Sequence, residues 1–390
     1  MPDGWTRVRL GEVITRTSKR CTPEVSPSVR WIGADHLEEG DLAVRRWSTT
    51  DDPMFPPTFS YSVPSGSVLL HSRNPKKVAI LPFDAITGEK LFCLTPVDSS
   101  ALDSRFLAYQ LQSDHFNEFV GRWLSGSVNK FLNWTALAQY EFALPPIEEQ
   151  QRLVNVFSSF DKEQSALRNA RTAAAVMRLS VLQALDETTE MRCRLGDLVD
   201  LERGVSYKSS DYVEEGTGRP FLNLKCVTRQ GTFSAKGVKW VRNDFMPGNV
   251  VSAGELFFAN TDLTPGRLLV GAPFFFRGLE AGEEPCFSMD LTRVRLKASD
   301  VPVELVYHLL NIPRVRAEMR RLTGGSTVGH LRLGGVPIIE VPLVSDVLPV
   351  LARLRSFEAL EDSLADHEKD SRSLAASVRE RLLGGGINVQ

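Results

Sequence analysis

The chain has 390 residues, of which 42% are hydrophobic and 24% charged, and its formal net charge is −2. This composition is typical of a globular protein with two or three domains, and the longest apolar runs are too short for a membrane helix. So balanced a charge predicts weak binding to nucleic acid unless the charge is local or a partner adds more, because non-specific binding depends on the neutralisation of phosphates. Five cysteines at distant positions favour free thiols over disulfides or a zinc site. The amino terminus lacks the features of a signal peptide, so we expect a cytoplasmic protein.

The first part of the chain predicts a mixed α/β domain. Short buried strands are expected at 68–70, 78–81 and 91–94, between turn signals. Helical periodicity runs from Ser104 to Val120 and ends at Gly121.

A proline-rich segment closes this domain, with the sequence Ala-Leu-Pro-Pro-Ile-Glu-Glu-Gln-Gln-Arg-Leu-Val over residues 143–154. Its prolines end an extended stretch and suit the first turn of a helix. Glu148 and Glu149 favour the positive end of the helix dipole. The segment therefore predicts the start of a helix.

Two long helices are predicted from heptad patterns, one from Ile147 to about Glu187 and one from Ser345 or Asp346 to the glycines at 384–386. The seam of the first helix is Leu153, Phe160, Leu167, Ala174 and Val181 with Val156, Ala170, Met177 and Ala184; that of the second is Val350, Phe357, Leu364, Ser371 and Val378 with Leu360, His367 and Leu374. We expect the two seams to bury each other, including Phe160, Leu167, Phe357 and Leu364.

The chain also contains an internal repeat. The pairs of matching segments are 9–13 with 194–198, 66–72 with 254–260, 103–111 with 302–310, 124–127 with 323–326, and 140–144 with 339–343. Five pairs in one order indicate a duplication. The second copy predicts strands at 256–259, 268–271 and 291–296 and a helix from Val303 to Arg321.

The predicted fold is α/β (α+β), with two duplicated domains joined by two long antiparallel helices that form a coiled-coil spacer. Its segments are a first domain at 1–146, a central helix at 147–190, a second domain at 191–343 and a distal helix at 344–390.

Motifs of catalysis were sought and none is convincing. The segment 52–55, Asp-Pro-Met-Phe, resembles the Asp-Pro-Pro-Tyr/Phe motif of amino-methyltransferases only distantly, because it lacks the second proline and no glycine-rich cofactor loop follows a strand. Phosphate-loop, nucleophile-elbow and His-Glu-x-x-His patterns are missing as well. We expect a chain that is not an enzyme.

The duplication and the proline–glutamine segment together resemble the specificity (S) subunit of type I restriction–modification systems. The resemblance rests on Leu-Pro-Pro-Ile-Glu-Glu-Gln-Gln-Arg-Leu-Val at 144–154, the Arg-Leu-Gly-(Glu/Asp) openings at 9–12 and 194–197, and the Gly-Ser pairs at 126–127 and 325–326. In the second half, residues 342–346 read Pro-Leu-Val-Ser-Asp in place of the Pro-Pro-x-x-Glu-Gln element.

This resemblance implies a DNA-reading adaptor. Each α/β domain would be a target-recognition domain for one half of a split site in double-stranded DNA, held at a fixed separation by the helices. DNA methyltransferase subunits, two per chain, would dock and bring S-adenosylmethionine; whether a restriction subunit joins, with ATP and magnesium, stays open. The chain itself would hold no cofactor and contact no membrane. The alternative is a scaffold protein of another defence complex that no longer reads DNA.

Candidate site residues follow from this resemblance and from charge. The partner-binding set is Pro145, Pro146, Glu149 and Gln150; the DNA-binding set is Arg73, Lys76, Lys77, Ser127, Asn129 and Lys130 in the first half and Tyr207, Lys208, Arg267, Arg320, Arg321, Ser326, His330 and Arg332 in the second. Tyr207 is expected to be exposed. The Gly-Ser segments suit phosphate oxygens, with Lys130 and His330 in the same place, although a plain turn is equally open.

Overall fold

The fold is described from a computed structural model of the chain. The structure describes residues 3–17, 19–23, 27–124, 130–228, 232–242, 249–264, 266–279, 284–297, 301–325 and 328–384. The chain divides into two compact units, the first made of Met1–Asn169 with Leu364–Gln390 and the second of Ala170–Ser363. The four-segment division at 146, 190 and 343 stays a prediction.

The elements of the chain up to the first long helix are β1 (Thr6–Arg9), α1 (Leu10–Val13), β2 (Ile14–Arg16), β3 (Arg30–Ile32), β4 (Ser48–Thr49), β5 (Tyr61–Val63), β6 (Val68–His71), β7 (Val78–Ile80), β8 (Ala85–Thr87), β9 (Leu91–Pro96), α2 (Ser104–Gln110), α3 (Asp114–Trp123), α4 (Trp134–Leu137), β10 (Glu141–Leu144) and α5 (Ile147–Thr188).

The later elements are β11 (Arg192–Arg194), α6 (Leu195–Leu198), β12 (Val199–Arg203), β13 (Tyr212–Val213), β14 (Arg219–Leu222), β15 (Lys239–Val241), β16 (Leu256–Ala259), β17 (Thr261–Asp262), β18 (Pro273–Phe275), β19 (Cys286–Phe287), β20 (Leu291–Leu296), α7 (Val303–Leu310), α8 (Pro313–Arg321), β21 (Thr323–Gly324), β22 (Gly329–Leu331), β23 (Glu340–Pro342) and α9 (Val347–Leu383). Short 3-10 helices lie at Ala34–His36, Ser209–Asp211, Leu224–Cys226, Ala235–Gly237 and Leu333–Ile338.

Two four-stranded sheets organise the first unit. One has the order β2-β9-β6-β7 and the other β4-β3-β8-β5, in which β3 and β8 are parallel. Side chains alternate along a strand, so Val68 and Leu70 of β6 join the core under the helices, whereas Leu69 joins the core shared with the second sheet. All three are fully buried.

The second unit repeats this arrangement, as the predicted duplication requires. Its main sheet has the order β12-β20-β16-β18, and its second sheet, β13-β15-β14-β19, again contains one parallel pair. The strand predicted at 268–271 is wrong, because β18 lies at Pro273–Phe275 instead. The backbone N–H groups of Leu269 and Val270 donate to the Asp262 carboxylate rather than to a neighbouring strand.

Each predicted domain helix is in fact two helices. In the first unit α3 starts anew after Ser113, whose Oγ accepts a hydrogen bond from the backbone N–H of Phe116 at 3.1 Å. In the second unit Pro313 occupies the first turn of α8, where its missing N–H costs no hydrogen bond. Helical periodicity continues across both breaks and therefore conceals them.

The repeated Arg-Leu-Gly-(Glu/Asp) opening has a packing role. It forms the one-turn helices α1 and α6, which follow strands that pair with β10 and β23. A Cβ on Gly11 would lie 2.8 Å from the Cβ of Ala138, and one on Gly196 would lie 2.7 Å from the Cβ of Pro337. Both positions therefore require glycine, because α1 lies too close to Ala138, and α6 too close to Pro337, to leave room for a side chain.

Helices α5 and α9 run antiparallel within each unit. Ser371 Oγ donates to Glu163 at 2.7 Å in the first unit, and Arg178 contacts Glu361 at 2.8 Å in the second. Four apolar side chains of the two helices were expected to be buried and are half-buried instead: Phe160, Leu167, Phe357 and Leu364. One edge of the apolar seam is therefore accessible to solvent.

On each helix the second series of predicted seam positions, which includes Met177 and Leu360, is wrong by one residue. Met177 is 58% exposed while its neighbour Arg178 faces the partner helix, and Leu360 is 46% exposed while Glu361 faces inward. The interface positions that the pattern missed include Gln164 and Glu368, both buried. Because these positions carry polar side chains, a search for apolar residues selects the exposed neighbour.

Candidate nucleic-acid interface

A cleft of about 390 Å³ in the first unit combines basic and aromatic side chains; we call it the basic cleft. The residues that line it are Arg16, Tyr61, Ser72, Arg73, Glu89, Lys90, Phe92, Phe131, Leu132, Asn133 and Trp134. The backbone N–H of Leu132 donates to the Ser72 carbonyl at 2.8 Å, which holds the segment before α4 beside the turn after β6. The basic cleft thus joins parts of the chain that are distant in sequence.

The turn that carries Arg73 begins beside a buried histidine, His71, which immediately precedes Ser72 of the basic cleft. Burial, followed by the charges of Lys77, Lys90 and Arg73, lowers the pKa of His71. Its Nδ1 accepts a hydrogen bond from the backbone N–H of Asn74 at 2.9 Å, which fixes the turn that carries Arg73. Clustered cations on a fixed turn suit phosphate oxygens.

The candidate residues of the first half fall into three groups. Arg73 lines the basic cleft, and Lys76 and Lys130 are exposed near it in sequence. Lys77 Nζ instead donates to the Ala34 carbonyl at 2.8 Å, so its charge is directed into the unit. Ser127 and Asn129 lie outside the described residues.

Sequence reasoning missed two cations of the basic cleft, Arg16 and Lys90. Arg16 lies on β2, with its guanidinium 5.0 Å from the ring centre of Phe92, and Lys90 lies in the turn between β8 and β9. No local motif links these two cations, because β2 and the turn between β8 and β9 are distant in sequence.

The equivalent place in the second unit has different chemistry. Asp290 immediately precedes β20, as Lys90 immediately precedes β9. Its carboxylate accepts hydrogen bonds from Tyr207 Oη and Thr261 Oγ1, both at 3.0 Å. Tyr207 was expected to be exposed; it is half-buried, and burial followed by its contacts with Tyr212 and Asp290 raises its pKa. Lys208 beside it is exposed.

Arg267 is used inside the second unit. It is the one described residue other than glycine with a positive φ, at 54°. Its guanidinium donates to the carbonyls of Thr323, at 3.3 Å, and of Gly325. Arg267 therefore positions the segment that leads to Ser326, which itself lies outside the described residues.

Other cations of the second half remain available. Arg321, His330 and Arg332 are exposed and Arg320 is half-buried. Two further arginines of α8 are occupied within the unit, since Arg314 pairs with Asp186 at 2.9 Å and Arg316 donates to the Leu268 carbonyl at 2.9 Å.

The predicted equivalence of Lys130 and His330 is wrong. The backbone N–H of Leu331 donates to the Asn260 carbonyl at 2.8 Å, as that of Leu132 donates to Ser72. Counting back one residue from each leucine aligns His330 with Phe131 and places Lys130 opposite Gly329. The two segments are equal in length, since Leu132 and Leu331 each lie six residues after the glycine of their Gly-Ser pair. Lys130 and His330 lie four and five residues after it, so they were never at the same offset.

The proline–glutamine segment has a structural core and an exposed edge. Gln150 is fully buried: its Nε2 donates to the carbonyls of Ala101 and Pro145, both at 2.8 Å, and its Oε1 accepts from the N–H of Asp103 at 2.9 Å. Pro145 is buried, whereas Pro146 is exposed and Glu149 is half-buried. Gln150 therefore fastens the start of α5 to the loop before α2 and offers no side-chain atom to a partner.

Within the described ranges, no cluster of three or more His, Cys, Asp or Glu side chains is suited to a metal ion. Nor does any described helix have the length and hydropathy needed to cross a membrane.

Comparison with known proteins shows what the chain is similar to. Residues 2–176 match the family described as type I restriction modification DNA specificity domain. The chain is 19% identical, over 74% of its length and 71% of the relative's, to the type I restriction enzyme MjaVIII specificity subunit of Methanocaldococcus jannaschii. The family match covers the amino-terminal part of the chain, and the similarity to this relative extends over most of its length. The resemblance inferred from the motifs is thereby confirmed.

Two further similarities extend over the whole length of the chain. It is 19% identical to the putative type I restriction enzyme MjaX specificity subunit of the same organism, over 100% of this chain and 95% of the relative. It also superposes on a solved structure described as the structural basis of complex assembly and conformational transition of the type I R-M system. That match has a TM-score of 0.57 and 20% identity, and it covers 99% of each chain. The predicted fold class, with two duplicated domains and a helical spacer, is confirmed.

Proposed function

We propose that the chain is the DNA-specificity subunit of a type I restriction–modification complex, which reads a bipartite site in double-stranded DNA. The observation that carries this proposal is a backbone arrangement that both units share but surround with different side chains. In each unit a backbone hydrogen bond of 2.8 Å joins the segment before the closing strand to the residue that follows a central strand of the main sheet. The bond runs from Leu132 to Ser72, after β6, in the first unit and from Leu331 to Asn260, after β16, in the second. Around that bond the first unit presents Arg73 and Lys90, and the second presents Asp290 and Tyr207.

This difference supports the reading of two unlike half-sites. The cations of the basic cleft suit phosphates and the acceptor atoms of guanine, while the carboxylate, hydroxyl and imidazole groups of the second unit suit bases through hydrogen bonds. A rigid pair of helices would turn the distance between half-sites into a geometric filter.

Partner subunits would supply the chemistry. DNA methyltransferase subunits, two per chain, would dock on the helices near Pro146 and Glu149 and bring S-adenosylmethionine, and a restriction subunit would bring ATP and magnesium. The chain itself would be non-catalytic and would act in the cytoplasm, where its DNA is. Gln150 would contribute to docking only by fixing the first turn of α5.

The proposal is tested with the full chain co-purified with its methyltransferase partner. Methylated positions are mapped in genomic DNA, and duplex affinity is measured against salt. Arg73→Ala and Lys90→Ala should each weaken binding to all sequences and reduce the salt slope by about one unit. Arg122→Ala, which removes an exposed cation from α3, is the matched control and should leave the slope unchanged.

The Gly-Ser segments are tested in the same assay. Lys130→Ala should lower the salt slope by about one unit, and Ser326→Ala combined with His330→Ala should weaken binding. Unchanged affinity and methylated site in both variants would reduce these segments to plain turns. A complex that binds no duplex and methylates no site would refute the proposed function itself.

The second candidate function is a scaffold that no longer reads DNA. The observation that favours it is Asp290, a carboxylate where the first unit has Lys90. It predicts a complex that assembles normally and yet shows no sequence preference in its DNA binding.

A further inference from the structure

A second and larger cavity, of about 800 Å³, lies in the first unit. Tyr61, Glu89 and Lys90 line both this cavity and the basic cleft, so the two spaces are neighbours. Its walls include the rings of Trp31, Phe59 and Tyr61. We call this space the aromatic cavity. A size of several hundred cubic ångströms and a mainly apolar lining are typical of small-ligand sites.

The aromatic wall is held in place. Trp31 is 9% exposed, and its Nε1 donates to the Thr49 carbonyl at 3.1 Å. Phe59 packs edge-on against it, with ring centres 5.4 Å apart. A Cβ on Gly88 would lie 2.5 Å from the Phe59 ring, so the ring occupies space that only glycine leaves. The planar wall therefore exists before any ligand arrives, which lowers the entropic cost of binding.

The charged side chains that line the aromatic cavity are of both signs. The guanidinium of Arg20 lies 5.8 Å from the ring centre of Tyr61, and Lys90 lines the same space. Asp35 and Glu89 also line it. Within the part of the chain that the structure describes, Arg20, Lys90 and Glu89 form no ion pair, so their charges are available.

This balance defines the ligand. Two cations opposed by two carboxylates do not suit a triphosphate, whereas they suit a neutral planar ring with one phosphodiester. Carboxylates accept hydrogen bonds from exocyclic amino groups, which adenine and cytosine carry and thymine lacks. Aromatic side chains supply stacking surfaces for a base.

We propose that the aromatic cavity binds a single nucleobase, stacked on its aromatic wall, with the phosphate at Arg20 and Lys90 and an amino group at Glu89. The base comes from the DNA strand in the basic cleft, displaced from its stack, or from a free nucleotide of the same chemistry. The strand source rests on the proposed function, because it requires DNA in the basic cleft.

The test has two arms. The isolated full chain is titrated with dAMP, dCMP and TMP, and the complex with its methyltransferase is titrated with duplexes that are fully paired or carry one unpaired adenine or one unpaired thymine. We expect dAMP and dCMP to bind more tightly than TMP, and the unpaired adenine to strengthen duplex binding. Tyr61→Leu should weaken base binding by about five- to 150-fold, the range of base–aromatic stacking. Glu89→Ala should abolish the preference over thymine, and Glu118→Ala, an exposed glutamate of α3, should change nothing.

The outcomes separate the two sources and the two proposals. If dAMP binds and the unpaired adenine does not strengthen duplex binding, the site is assigned to a free nucleotide. If the unpaired adenine strengthens duplex binding and dAMP does not bind, the site is assigned to an extrahelical base. If paired duplex binds and neither base probe does, the inference is overturned and the proposed function stands. If no duplex binds, the proposed function fails, and the mononucleotide arm alone decides the inference. Glu89→Ala changes an exposed side chain, so the test does not depend on the folding of Tyr61→Leu.

Discussion

Replacement of Gln150 by alanine should destabilise the first unit by about 3 kcal/mol. The side chain is fully buried and makes three hydrogen bonds of 2.8–2.9 Å, to the backbone groups of Ala101, Pro145 and Asp103. A hydrogen bond contributes about 0.5–1.5 kcal/mol net, and a buried group left without a partner costs about 1–3 kcal/mol. The alanine variant leaves two carbonyls and one N–H without their partner, so the estimate exceeds that for a single bond.

The next residue provides a matched control, because Gln151 is exposed on the same helical turn. Gln151→Ala should change the free energy of unfolding by less than about 0.5 kcal/mol. Hydrogen exchange of residues 101–110 and 147–157 in increasing urea isolates the affected part of a chain with two units. Methyltransferase binding by Gln150→Ala should fall only in proportion to the loss of this local structure. Normal stability with lost partner binding would refute the argument and restore Gln150 as a direct contact.

The remaining predictions concern packing, protonation and a half-buried ion pair. Gly11→Ala should lower the free energy of unfolding by about 1–3 kcal/mol in thermal unfolding, because its Cβ would meet Ala138. A Cβ on Gly121 would have no neighbouring atom within 4 Å, so Gly121→Ala should stabilise α3 by about 0.5–1 kcal/mol. Equal effects of the two substitutions would contradict this. Burial, followed by the charge of Arg178, lowers the pKa of His308 to about 4. The unfolded chain therefore binds this proton near pH 6.5 and the folded chain only near pH 4, so the free energy of unfolding should fall as the pH drops through this window, and less steeply in His308→Gln. Arg178→Met should cost about 2 kcal/mol and the further change Glu361→Met should recover most of it in a double-mutant cycle, since removal of one partner leaves the other charge unpaired; additive losses would refute the pairing.

Apolar patterning predicted the elements whose burial is carried by apolar side chains. β16 and β20 lie at the expected residues, and the buried strand β6 extends one residue beyond the prediction, because runs such as Leu-Phe-Phe-Ala have one plausible environment. The helical interface was harder. Arg178 and Glu361 occupy seam positions as a pair, and pattern reasoning assigns each to the solvent face because it considers one helix at a time.

The candidate site depended even more on the third dimension. Arg73 could be found from its turn. Its neighbours are Arg16, on β2, and Lys90, immediately before β9, and only the order of the strands in the sheet brings them beside it. Tyr207 and Arg267 were sensible surface candidates by residue type. Their partners, Asp290 and the Gly325 carbonyl, follow them by tens of residues, and no local rule links such distant groups.

The first unit is assembled from both ends of the chain, and this has a consequence for biosynthesis. Leu382 and Leu383 belong to its hydrophobic core, and Glu380 accepts a hydrogen bond from the backbone N–H of Asp114 at 2.6 Å. The ribosome must therefore synthesise the chain as far as Leu383 before the part made first can be completed, whereas Ala170–Ser363 emerges as one uninterrupted stretch. The second unit can therefore complete its folding before the first, although most of the first is synthesised earlier. A premature stop codon after residue 363 would spare that unit and leave the amino-terminal one incomplete, with its apolar core open to proteases and chaperones.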